Sequence, residues 1–167
     1  MDVATQWPWL RSVFREAFSS SLHFSLASVN ADGSPHVTPI GSVLLGEPGR
    51  GLYFEVFTRE LPRNVHRDSR MCILAVNSSW RLWLRALWAG RFPRPPAVRL
   101  IVRVADDARP ATAEEKARFA HRVRRVRALK GHDLLWGHLE RVRDFVVERV
   151  EPVHIGPMTR HLADRYR

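Results

Sequence analysis

The chain has one cysteine, Cys72, so no disulfide can close within it. That cysteine lies in an apolar run, Met71-Cys72-Ile73-Leu74-Ala75-Val76, where a thiol reads as a small buried hydrophobe rather than a nucleophile. Lysine is scarce: Lys116 and Lys130 are the only two among 27 basic residues. No run approaches the roughly 20 apolar residues of a spanning helix, so no membrane association is expected. Asp2, Arg11 and Arg15 interrupt any apolar stretch near the start, which predicts no secretory leader and a cytoplasmic location. The dinucleotide glycine fingerprint, the phosphate-binding P-loop and the Gly-x-Ser-x-Gly nucleophile turn are all missing. None of the histidines forms a metal-type pair with a cysteine, and His132 and His138, six residues apart, do not share a helical face. No metal site is predicted.

What the chain has in excess is positive charge, a formal +10. Such a balance raises a polyanion as partner. Its basic residues are spread along the sequence, however, and form no separable tail. The densest cluster, Arg118 to Arg127, carries Phe119, Val123 and Val126 at positions i, i+4 and i+7. That spacing predicts an amphipathic helix with a solvated basic face, which argues against nucleic acid.

The segment from Leu22 to Asn77 organises the rest. Leu22 to Asn30 alternates apolar and small polar residues, as a half-buried strand does. Asp32-Gly33 signals a tight turn. Pro35 to Leu45 reads as a second strand pairing back, and Leu52 to Thr58 as a third after the loop Gly46 to Gly51. A short basic helical segment, Arg59 to Arg70, precedes a fourth strand, Met71 to Asn77.

Ahead of this segment, Leu10, Val13, Phe14 and Ala17 predict a helix over Gln6 to Phe18, with Trp7-Pro8-Trp9 tucked onto the sheet. Beyond it, Ser78 to Gly90 has helical apolar spacing, and the prolines of Arg91 to Pro96 impose a connector. Trp80, Trp83, Trp88 and Trp136 read as core or dimer contacts. Ala97 to Val104 returns to strand. Thr112-Ala113-Glu114-Glu115 is a capping box opening a long helix to Leu129, ended by Gly131. A short helix over Leu134 to Leu139 and a last strand over Asp144 to His154 follow. At 167 residues the chain reads as one domain. It divides into an N-terminal helix within 1–20, barrel strands over 22–108, helices over 109–140, a last strand over 144–154 and a polar tail over 156–167. The fold class is mainly β with added helices (α+β), about six strands in all.

The runs "SLASVNADGSPHVTPIGSVL" and "GLYFEVFTRELPRNVHRDSRMCILAVN" resemble the FMN-binding split β-barrel proteins related to pyridoxamine 5′-phosphate oxidase. Strand, Asp-Gly turn, strand near a proline, "LYF" strand and an Asn-x-x-x-Asp-x-Arg helix follow in the family's order. The resemblance implies a homodimeric flavoprotein oxidoreductase that passes hydride to or from a small-molecule substrate, with FMN held between two barrels. Relatives with the same barrel bind a 5-deazaflavin or haem. A deazaflavin-dependent reductase and a non-catalytic barrel binding a ligand or polyanion are therefore the alternatives. Pyridoxamine phosphate itself is not the implied substrate, because residues 158–167 do not match the Arg- and Pro-containing motif of the true oxidases.

The resemblance also implies site residues. Thr58, Arg59, Arg63 and Asn64 fall where the family holds phosphate, at a strand-to-helix junction. His36, Thr38, Pro39, Ile40, Gly41 and Ser42 fall on the strand that runs beside the flavin ring. No catalytic acid or base is implied. Many relatives place a lysine three residues before the asparagine, where this chain has Leu61 followed by Pro62. Arg59 or Arg63 is expected to supply that charge instead.

Overall fold

In the computed structural model, residues 3–56 and 58–163 are described. Eight strands form one antiparallel sheet: β1 (Phe24–Val29), β2 (Pro35–Ile40), β3 (Val43–Leu45), β4 (Arg50–Phe54), β5 (Arg70–Val76), β6 (Ala97–Val104), β7 (Arg109–Pro110) and β8 (Arg141–Val153). Their order is β2-β1-β5-β6-β8-β4-β3, with β7 paired to β8. The helices are α1 (Val3–Ser21), α2 (Glu60–Arg67), α3 (Trp80–Ala89), α4 (Ala113–Val123) and α5 (Gly131–Trp136).

The curl of this sheet accounts for one of the two strands beyond the six expected; the other, β7, lies in the 109–140 stretch expected to be helical and pairs with β8. Pro35 to Leu45, expected as one strand, is broken at Gly41-Ser42 into β2 and β3. Its first half pairs with β1, Phe24 opposite Ile40 and Val29 opposite Pro35. Its second half pairs with β4, Val43 opposite Tyr53. One length of chain thus supplies both ends of the strand order, so the sheet curls round until its two edge strands meet at the Gly41-Ser42 bend without pairing. Gly41 is required at the break, because a Cβ there would lie 2.8 Å from the Leu22 carbonyl oxygen. Ser42 secures the bend by donating its hydroxyl to the Phe54 carbonyl, 3.0 Å away.

Alternate residues of the strands fill the interior. Leu26, Ile73, Leu100, Val102, Phe54 and Val142 are fully buried, and α1 lays Leu10, Phe14 and Ala17 against them. Trp7 tucks in as expected, donating its indole N–H to the Gly46 carbonyl at 3.0 Å. β3 has a free edge, and its carbonyls are covered by side chains: Arg122 donates to Val43 O, and Arg118 to Leu45 O at 3.0 Å. Covering an edge in this way blocks pairing with another chain.

Several boundaries differ from expectation. The first helix is longer than Gln6 to Phe18. The third strand stops at Phe54 rather than Thr58, and Phe57 lies outside the described residues. The capping box is present, with Thr112 Oγ1 accepting from Glu115 N and the Glu115 carboxylate accepting from Thr112 N. Its helix ends at Val123, not Leu129, giving way to a 3₁₀ turn over Arg124–Val126. Beyond Val123 the chain offers only a half-buried Val126 and an exposed Leu129, too little apolar surface to hold another turn on the barrel. Gly131 starts a helix instead of ending one. The tail also departs from expectation: Gly156–Leu162 forms a 3₁₀ helix with Thr159 and Leu162 buried, and Phe92 N donates to Met158 O at 2.9 Å. Residues 164–167 of that tail lie outside the described residues.

Candidate functional site

Asn64 of α2 and the His36 and Thr38 positions of β2 share one side of the sheet. α2 is amphipathic, burying Leu61, Asn64 and Val65 at i, i+3 and i+4. Glu60 in its first turn and His66 and Arg67 in its last complement the helix dipole. Asn64 fastens it to the sheet, donating from Nδ2 to Ser28 Oγ at 3.0 Å and to Asn30 Oδ1 at 2.9 Å. Ser28 pairs with His36, and Leu26 with Thr38. Directly paired residues share a face, so His36 and Thr38 lie on the side that α2 covers. Pro39 points to the other face, and Ile40 is buried in the core. Gly41 and Ser42 make the closing bend.

The junction before α2 has the chemistry of an anion cradle. Thr58 Oγ1 is buried with no hydrogen-bond partner among the described residues. Arg59, at the helix N-cap position, makes no side-chain cap, which leaves the first-turn N–H groups of α2 uncapped by it. Arg59 is exposed and forms no ion pair among the described residues. Arg63 differs: it donates to Glu60 Oε1 at 2.8 Å and neutralises the carboxylate nearest the junction. Leu61, in the lysine position, is only 1 % exposed and anchors the helix in the core. It is a packing residue, so any positive charge here must come from an arginine.

The far end of α2 carries an ion pair. There Arg70 donates to both carboxylate oxygens of Asp68 and holds that carboxyl at about 2. Cys72 is half-buried, and desolvation raises its thiol above the ordinary value, in keeping with a hydrophobe. No group of three or more His, Cys, Asp or Glu side chains is arranged to hold a metal among the described residues. None of the implied site residues lines the clefts of about 820 Å³ and 950 Å³ that flank α1. Pro39 and Arg59 are exposed in the single chain and His36, Thr38 and Gly41 half-buried, whereas Ile40, Ser42 and Asn64 are buried.

Sequence reasoning missed two features. One is the buried, unpartnered hydroxyl of Thr58, whose solvation depends on the fold. The other is the apolar outer surface beside β2, where Val37 is 62 % exposed and Val29 47 %. Pairing aligns Val37 with Ala27, Cys72 and Ile101 across β2, β1, β5 and β6. Its signal was the alternate apolar residues on both faces of these strands.

Residues 10–155 match the family model described as pyridoxamine 5′-phosphate oxidase. No curated protein matches the chain. Among solved structures, an FMN-binding protein from Syntrophomonas wolfei subsp. wolfei superposes with a TM-score of 0.54 at 10% identity, over 90% of this chain and 95% of that one. An F420 reductase superposes with a TM-score of 0.53 at 13% identity, over 84% and 97%. HupZ of Group A Streptococcus gives 0.51 at 14% identity, over 84% and 90%. At these identities the likeness is one of fold, and the fold is the FMN-binding split β-barrel. No helix among the described residues is long and apolar enough to cross a membrane.

Proposed function

Because the chain belongs to the pyridoxamine 5′-phosphate oxidase family, we propose that it is a flavin-dependent oxidoreductase that takes FMN at the corner where β4 leads into α2. The observation that carries this reading is the orphaned Thr58 hydroxyl beside the free Arg59 guanidinium and the uncapped start of α2. Together they offer a phosphate one hydroxyl, one charge and backbone N–H groups. His36 and Thr38 supply polar groups on the same side, and the β2 backbone through Ser42 gives the ring an edge to lie along. FMN, when bound, supplies hydride transfer. The chain's own part is to hold the phosphate, orient the ring against β2 and exclude water.

Exclusion of water needs a second copy, since the corner is open. We assign that role to a homodimer. The exposed apolar surface of Val29 and Val37 adjoins the ring-side strand. α3 exposes Trp80, Leu84, Leu87 and Trp88 on one face, the last 92 % exposed. Contiguous apolar surface of this kind marks an association site.

A deazaflavin is the second reading, favoured by Leu61: with the ammonium absent, the corner carries less charge for a phosphate. Release of the native cofactor, with absorbance and mass measured, tests both. FMN in the released fraction supports the main reading. Colourless protein that takes up added deazaflavin replaces it with the second, and uptake of neither refutes both. Sedimentation of a monomer at micromolar concentration would refute the dimer.

A further inference from the structure

The basic run that the sequence presents as a solvated helix face has a more specific setting. α4 buries Phe119 and Val123 and turns Arg118, Arg122 and, beyond its end, Arg125 toward α1. Between the two helices lies a cleft of about 950 Å³, within the range of small-molecule sites at roughly 300–1,000 Å³. Phe18, Leu22, Leu44 and Val123 form its apolar part. Arg15, Arg118, Arg122, Arg124 and Arg125 form its basic part, and Glu114 is its one carboxylate.

Arg122 is the informative residue. Its guanidinium lies 5.1 Å from the centroid of the Phe18 ring, and the side chain is half-buried. Burial, with the Arg118 charge nearby, pushes it down to about 10. No carboxylate pairs with it among the described residues. Arg143, which is buried more deeply, is treated differently: Glu55 stands 3.1 Å away and backbone carbonyls of Ala105 and Asp106 accept from it. A desolvated cation without a counter-ion is costly to a fold. Covering the β3 edge occupies one donor of Arg122 and one of Arg118. A guanidinium has five N–H donors, so each retains several for a ligand.

We propose that the cleft between α1 and α4 binds a small phosphate ester with an apolar or aromatic body, its phosphate on Arg122 and Arg118 and its body against Phe18, Leu44 and Val123. Guanidinium forks match phosphate oxygens in pairs, and the apolar floor adds selectivity for an ester over the free ion. The concave, half-apolar shape favours a small molecule over a polyanion lying along a flat basic face. This site is separate from the α2 corner and does not depend on it.

The test is calorimetric titration of the full chain with phenyl phosphate, inorganic phosphate and phenol. Phenyl phosphate should bind saturably, inorganic phosphate should compete more weakly, and phenol should not bind. Arg122→Gln should weaken phenyl phosphate about ten- to a hundredfold, the value of one charged hydrogen bond. Should that variant misfold, the double variant Arg15→Gln/Arg125→Gln, at exposed positions, should still weaken binding. Arg59→Ala should leave it unchanged. Absence of saturable binding to phenyl phosphate, equal binding in wild type and the cleft variants, or binding of an oligonucleotide alone would each overturn the proposal. Loss in Arg59→Ala with the cleft variants unaffected would also overturn it, by placing the phosphate at the α2 corner.

Discussion

α2 and α4 both present arginines from short helices packed on the same barrel, yet they are fastened by different chemistry. α2 is held by a neutral amide: Asn64, 2 % exposed, gives both N–H bonds to Ser28 and Asn30 on the β1 side. α4 is held at its start by ions. Arg109 donates to both oxygens of Glu115 and both of Asp144, with each closest approach at 2.6 Å. Further along, Phe119 packs against Phe54 with ring centroids 5.6 Å apart. Arg109 and Arg122 sit towards opposite ends of this second helix, and the surroundings shift them in opposite directions. Carboxylates raise the first; burial without a carboxylate lowers the second. The lesson is that an arginine-rich chain distributes its acids selectively. At α4 the acids fix the start of the helix and leave the Arg122 guanidinium without an ion pair.

Substitutions can sharpen or break this contrast. The largest effect is expected from Phe119→Ala, which should cost about 3–5 kcal/mol, the usual range for emptying a fully buried aromatic site. Denaturant unfolding measures it, and a loss below 1 kcal/mol would mean that the ionic clamp alone holds α4. Asn64→Ala comes next. It strands the Ser28 hydroxyl and the Asn30 side-chain oxygen Oδ1, and should cost roughly 1–3 kcal/mol. The α4 cleft should keep its affinity for phenyl phosphate in this variant; a parallel loss would show that the two helices do not act independently.

The smallest effect is one of pH. Arg109 holds the Glu115 carboxyl at about 2, below its ordinary 4.5. A depressed carboxyl contributes stability that is complete above the unfolded value and disappears as pH falls through the folded one. Stability should therefore drop between pH 4.5 and about 2, and Glu115→Gln should flatten part of that drop. Asp68 titrates in the same window through Arg70, so the contribution is read as the difference between wild type and Glu115→Gln. Identical acid profiles would remove the ionic clamp from the account.

Local signals in the sequence were read well. The Thr112 to Glu115 capping box needs only neighbours three residues apart, and it stands as expected. The Asp32-Gly33 turn is equally local: Gly33 takes φ +82°, and Gly33 N donates to Asn30 O. Features set by distant partners were not legible. Pro35 to Leu45 has unbroken strand character, and its division at Gly41-Ser42 follows from pairing β1 on one side and β4 on the other. Gly131 carries equal weight as a stop or a start, and the packing of the half-buried Trp136 at the helix's far end against Phe119 favours the latter. At the candidate site, residue types and order were visible through the family pattern. That Leu61 is a core anchor, that Glu60 engages Arg63 and that Arg59 stays free all depend on side-chain placement.

The central claim is that Arg59 and Thr58 hold a flavin phosphate, and one comparison tests it most directly. FMN and riboflavin differ only in that phosphate, so both are titrated into wild type and Arg59→Ala and followed by flavin fluorescence. The account predicts that Arg59→Ala weakens FMN about ten- to a hundredfold, as expected for a charged hydrogen bond, while riboflavin affinity holds. Equal losses for the two ligands, or no loss for FMN, would contradict it.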